Sequence, residues 1–331
     1  MSTIDYNDFD REIWEKELEE YVPSVIYDMH THAWSDEHKG TSTGPPSGLR
    51  MEIGYQDHLA WAAKLYPGRE MHYLLLGTPV VGGDLVGHND WMAAEFAADP
   101  QSEINLMVTP EMTQEYVAEQ VKKHDFFGLK PYRLFASDPT NCRMRDFLPE
   151  PFIELAHDMG LAITMHMAKK TGPADAENMR DLQEYTRKYP RAQWILAHCA
   201  RSFNCFMMEE AIQALADLPN IWYDTSAVND LYTHFLLMKH EDRKRVMFGS
   251  DNVCAGCTRG KYVTWGRGWT HFGGDEQAPH CDGRATFVIY EQLRQEKQVA
   301  DMLELSKAEI EDHFSGNARR FIAQVRADRK V

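Results

Sequence analysis

Apolar runs of strand length recur along the chain, separated by stretches with helical spacing. Val25 to His30, His72 to Leu76, Ile104 to Val108, Phe126 to Lys130, Leu161 to His166, Gln193 to Ala197, Ile221 to Tyr223 and Val246 to Gly249 have the composition of buried strands. Between them Thr113 to Lys123, Phe152 to Met159, Ala176 to Lys188 and Glu209 to Leu218 place apolar residues three and four apart, as helices do. Strands that alternate with helices predict a parallel sheet. Eight such units predict an α/β fold closed as a (β/α)8 TIM barrel, in preference to an open doubly wound sheet. With no internal repeat, low-complexity tract or linker, residues 1–331 read as one domain. Its barrel core runs from about residue 24 to about residue 297, with additional C-terminal helices over 298–331. The segment after Asp251, through Cys254, Cys257, Trp265, Trp269 and His280, shows no periodicity and is expected to form a long loop beside the site.

Five of the runs deliver a polar residue at their C-terminal end: His30 with His32, then Lys130, His166, His198 and Asp251. Barrel enzymes build their active sites at that end of the strands, so these residues should converge. His30 and His32 lie two apart, and on an extended segment they point to one face and can share a metal. Imidazoles with a carboxylate suit zinc or another borderline divalent ion, which acidifies water into a nucleophile. Asp28, two before His30, reads equally as a partner of the ligands and as a buried structural carboxylate. Cations fall at the same ends: Lys130 and Arg133 after the fourth strand, Lys169 and Lys170 after the fifth, Arg201 after the sixth. They are expected to bind a small-molecule carboxylate, Arg in particular through two parallel hydrogen bonds. Lys169 and Lys170 read equally well as solvated loop residues, and Arg133 or Arg201 as half of a structural ion pair.

The formal charge of −16 excludes a nucleic-acid surface, which needs clustered Lys and Arg. No apolar stretch has the length of a membrane span, and Met1 to Tyr21 is acidic and lacks the pattern of a signal peptide. Six cysteines in 331 residues do not make a disulfide scaffold, so a reducing, cytoplasmic location is expected. Cys254-Ala-Gly-Cys257 is a single pair and reads as free thiols in a loop. Trp265 and Trp269 either line the pocket or pack the loop onto the barrel. A homodimer is the expected assembly on general frequency alone.

Asp28-Met-His30-Thr-His32, His166, His198, Phe248-Gly-Ser-Asp251 and the closing Phe314-Ser-Gly-Asn-Ala-Arg-Arg320 resemble, in that order, the amidohydrolase superfamily of metal-dependent TIM-barrel hydrolases. The resemblance runs from Tyr27 to Phe321. Within it the chain is most similar to the branch of aminocarboxymuconate-semialdehyde decarboxylase, related decarboxylases, hydratases and lactonases. The resemblance implies one metal, zinc before manganese, held by His30, His32, His166 and Asp251. His198 would orient or activate the water, and Asp251 would also shuttle its proton. Lys130 is ambiguous: in two-metal members a strand-four lysine is carboxylated and bridges both ions, whereas the single-metal reading makes it a cation facing the substrate. The expected activity is hydrolysis of a carboxylated lactone, ester or amide. The alternatives are decarboxylation or hydration of an acidic substrate on the same scaffold, or a barrel that only binds a small molecule.

Overall fold

The computed structural model describes residues 4–39, 52–274 and 280–329. Eight strands, β1 (Val25–Ala33), β2 (Glu70–Gly77), β3 (Glu103–Val108), β4 (Gly128–Pro131), β5 (Ala162–Met165), β6 (Gln193–Leu196), β7 (Ile221–Asp224) and β8 (Val246–Met247), pair in parallel in sequential order. Helices cross between them, among them Gln114–His124, Glu150–Met159, Ala176–Lys188 and Cys205–Ala216. The segment after β8 returns to β1: Met29 N–H donates to Phe248 O over 2.9 Å, Asp251 N–H donates to His30 O over 2.8 Å, and Thr31 bridges Asn252. The barrel is thereby closed, and the fold is (β/α)8.

Interior and exterior separate by strand alternation. Tyr27 and Met29, Leu74 and Leu76, Ile195 and Met247 form one buried cluster, completed by Ala318, Phe321 and Val325 of the helix Asn317–Asp328. Phe321 packs on Phe127 at 5.8 Å and on Trp222 at 4.8 Å between ring centroids. Ile26, Ala33 and Leu75 point the other way, into a cluster shared with Leu65, Met92 and Leu293. The register of β1 against β2 shifts between Asp28 and Thr31, a bulge of the kind that re-aims side chains beside active sites. Past that shift His30 and His32 face the same cavity.

The expected loop after Asp251 carries secondary structure of its own. Lys261–Trp265 (β9) and Gly268–Phe272 (β10) pair as an antiparallel hairpin. Trp269 stacks on Phe203 at 4.4 Å, so it fixes the hairpin to the barrel, and Trp265 is 59% exposed. Neither lines the cavity. The sixth run ends one residue earlier than expected, at Leu196, because the chain turns left-handed there: His198, Cys199, Ala200 and Arg201 all have φ between 50° and 62°. No helix among the described residues is long and apolar enough to cross a membrane.

Candidate active site

The strand ends surround a cavity of about 250 Å³, large enough for a small organic molecule. His30, His32, Lys130, His166, His198 and Asp251 all line it, joined by Tyr132, Arg133 and Cys254 and by an apolar wall of Trp34, Pro79 and Leu134. His32 Nε2 lies 3.1 Å from Asp251 Oδ1 and His30 Nε2 lies 3.7 Å from it. Donor atoms of His30, His32 and Asp251 fall within 4.8 Å of one another. His198 stacks beside His30 at 4.6 Å between ring centroids, and His166 follows His198 at 5.1 Å. The spacing along the strands therefore converts into one cluster of four imidazoles and a carboxylate.

Each imidazole has its Nδ1 occupied. His30 Nδ1 is 2.8 Å from Asp224 Oδ2, His166 Nδ1 is 3.0 Å from Met167 O, and His198 Nδ1 is 3.0 Å from Ser226 O. His32 Nδ1 is 3.4 Å from Gly77 O and 3.3 Å from the Tyr132 hydroxyl. Carbonyl and carboxylate acceptors hold the proton on Nδ1 and leave the Nε2 lone pair for a metal, the arrangement that fixes ligand tautomer and ring orientation. Asp224 also braces the neighbouring backbone. Besides His30 it accepts the backbone N–H of His198 over 2.9 Å and that of Ser226 over 3.2 Å.

Asp224 and Ser226 were not among the residues expected from sequence. The signal was present: Asp224 is the last residue of β7, one place beyond where the apolar run Ile221-Trp-Tyr ends. Gly249 is a third such residue. A Cβ there would lie 3.0 Å from the Cβ of His30, 3.2 Å from that of Ser226 and 3.3 Å from that of Asp224, so only glycine lets the eighth strand reach the ligand-bearing first. Asp28 turns away from the cavity. Its carboxylate accepts the N–H of Ser250 at 2.9 Å, the Ser250 hydroxyl at 2.5 Å and the N–H of His30 at 3.2 Å. It ties β1 to the chain leading to Asp251, and burial pushes its acid up to about 7.

Burial controls the ionisation of the cluster. It brings His30 down to about 3 against the opposing charge of Asp224, and takes His166 well below the usual range with help from His198, Arg201, Lys130 and Arg133. His198 is lowered for the same reason. His30, His166 and His198 are therefore neutral at neutral pH, the form that ligates metals. Burial acts upwards on Asp251, but the close approach of His32 and of the neighbouring imidazoles holds its carboxyl below the ordinary value. Lys130 is fully buried and brought down to about 8 by burial. Its Nζ makes no hydrogen bond among the described residues and rests 4.9 Å from the Tyr132 ring centroid.

The other cations divide. Arg133 lines the cavity and donates to Pro139 O over 2.5 Å. Arg201 donates to Lys169 O and does not line the cavity; burial and then the charge of Arg133 bring it down to about 10. Neither pairs with a carboxylate among the described residues, which leaves the structural ion pair without support. Lys169 is not brought to the site: it binds Glu177 and lies 3.5 Å from Asp175, both at the start of the next helix. Lys170 is exposed. Cys254 lines the cavity, Cys257 is buried behind it, and both are free thiols.

Four imidazoles with committed Nδ1 atoms, clustered with a carboxylate, fit a borderline divalent ion. A search of curated proteins by sequence finds no match. Among solved structures the chain is similar to 2,6-dihydroxybenzoate decarboxylase in complex with 2,6-dihydroxybenzoate, at 14% identity and TM-score 0.59 over 91% of this chain and 99% of that one. It is similar to an amidohydrolase from Burkholderia multivorans at 13% identity and TM-score 0.59, over 90% and 99%. It is also similar to 4-oxalomesaconate hydratase from Rhodopseudomonas palustris at 14% identity and TM-score 0.57, over 92% and 97%. At these identities the likeness shows the fold. The family model described as amidohydrolase matches residues 27–323, which takes in every residue of the cluster and all of the barrel strands but the first two residues of β1, and the chain belongs to the amidohydrolase family.

Proposed function

We propose that the protein is a metal-dependent hydrolase that cleaves a lactone, ester or amide of a small carboxylated substrate. The observation that carries the reading is the set of four histidines whose Nδ1 atoms are all occupied, beside Asp251 and a Lys130 whose Nζ has no hydrogen-bond partner among the described residues. His30, His32, His166 and Asp251 would hold one divalent ion, zinc before manganese. When bound, such an ion supplies Lewis acidity, which acidifies water and polarises a substrate oxygen. Asp251, ionised in the resting site, is the base that takes a proton from water and returns it to the leaving group. His198, fixed by Ser226 and by the backbone contact to Asp224, orients the water through its free Nε2. The Lys130 ammonium receives the substrate carboxylate, which supplies the hydrogen bonds it lacks, and this role leaves no place for a carboxylated bridging lysine. Arg133 meets the same anion or a second one at the mouth, and Arg201 supports it electrostatically from behind.

Nonoxidative decarboxylation or hydration on the same scaffold is the second reading. The apolar wall of Trp34, Pro79 and Leu134 favours decarboxylation over hydration, because a carboxylate stripped of water loses carbon dioxide more readily. The test is a panel of carboxylated lactones, esters and enol or aromatic acids, assayed in parallel for proton release and for carbon dioxide. Proton release on the lactones without carbon dioxide supports hydrolysis. Carbon dioxide from the acids, with the lactones inert, replaces it by the second reading.

A further inference from the structure

Gln292 sits on the helix Val288–Met302, outside the barrel, and is fully buried. Its side chain touches the two segments that carry the candidate site. Oε1 accepts the backbone N–H of Ala227 over 2.8 Å, and Nε2 donates to Gly249 O over 2.9 Å and to Glu296 Oε1 over 2.9 Å. The orientation of this amide is unambiguous, since a backbone N–H can only donate and a backbone carbonyl can only accept. Both ends are thus engaged, one on each side of the seam between β7 and β8.

The segments it joins hold the histidines. Ala227 is in the left-handed region at φ 58°, a strained place for alanine, and it directly follows Ser226, whose carbonyl sets the His198 tautomer. Asp224, which sets the His30 tautomer, lies three residues before Ala227. Gly249 stands against the Cβ atoms of His30, Asp224 and Ser226 and leads into Asp251. Releasing Gln292 therefore frees the strained turn on one side and the close approach of β8 on the other.

We infer that Gln292 is a positioning residue of the metal centre, acting through Asp224, Ser226 and Gly249 without touching a ligand. The inference rests on the proposed metal site. A buried amide at the opposite end of β8 supplies the contrast: Asn317 donates to Arg243 O over 2.8 Å and to Val246 O over 2.7 Å, and reaches none of the site segments. Both amides stabilise the same strand. Only Gln292 is placed to affect metal affinity.

The experiment measures zinc dissociation constants by competition with chelators for the wild-type chain, Gln292→Met, Gln292→Glu and Asn317→Leu, with the Tm of each metal-free protein. Gln292→Met keeps volume and removes the hydrogen bonds to Ala227, Gly249 and Glu296, so zinc binding is expected to weaken about 10- to 100-fold, the usual effect of removing an outer support of a metal site. Asn317→Leu should lower Tm comparably and leave the dissociation constant within about 3-fold, well short of that range. Gln292→Glu keeps the acceptor for Ala227 and, protonated against the facing Glu296 carboxylate, has one O–H in place of the amide donors to Gly249 O and Glu296; it should fall between wild type and Gln292→Met, and it carries the test if Gln292→Met does not fold. Equal zinc affinity in wild type and in the folded Gln292 variants overturns the inference alone, as does equal weakening in Asn317→Leu. Absence of zinc binding by the wild-type chain overturns the proposed metal site and this inference with it.

Discussion

A buried ammonium without a hydrogen-bond partner costs stability, and among the described residues Lys130 is in that position. Lys130→Met keeps the chain length and removes the unmet donor, so it should raise Tm, corresponding to about 1–3 kcal/mol, while weakening binding of a carboxylated substrate. A lower Tm in the calorimeter would mean that the charge is compensated in the free protein. Arg133→Ala should raise KM for an acidic substrate more than it lowers kcat, since the guanidinium lines the cavity away from the ligand cluster; an unchanged KM would remove that role. Asp224→Asn replaces the carboxylate on His30 with an amide of the same shape. Metal affinity should fall roughly 10- to 100-fold, with the barrel intact by circular dichroism, and retained affinity would show that Ser226 and the backbone suffice. The ligand candidates were legible because each closes a strand-like run. Asp224 was not, since Ile221-Trp-Tyr reads as complete without it, and Lys169 looked available because nothing local reveals that Asp175 and Glu177 fold back onto it.

The strands were legible from alternation with helices, but three local devices were not. The bulge in β1 adds a register shift that side-chain period cannot reveal, and without it Met29 and His30 would face opposite sides. The left-handed turn over His198–Arg201 occupies conformations that non-glycine residues seldom adopt, so composition gives no warning of it. The β9–β10 hairpin lies where aromatic and polar residues alternate among glycines, and its hold on the barrel comes from a tertiary contact, Trp269 on Phe203. At this scale Gly249→Ala is the informative change. The three atoms that crowd the new methyl are all Cβ atoms, which cannot move without their backbones. A loss of about 1–3 kcal/mol in urea unfolding is expected, together with reduced metal occupancy. Wild-type stability would show that β8 can shift without cost.

Across the whole molecule a net charge of −16 contrasts with a cavity lined by Lys130 and Arg133. The surface disfavours anions in general, so the proposed selectivity for a carboxylate is local to the cavity. The barrel makes this arrangement by bringing together residues more than 200 positions apart in the chain, such as His30 and Asp251, through the backbone closure of β1 on the segment after β8. The most direct measurement is the metal content of the protein expressed with zinc and manganese available and purified without chelators, with His30→Ala as control. The account predicts about one equivalent, lost in the control. No metal in the wild-type chain would contradict it, and two equivalents with a carboxylated Lys130 would contradict the single-ion site.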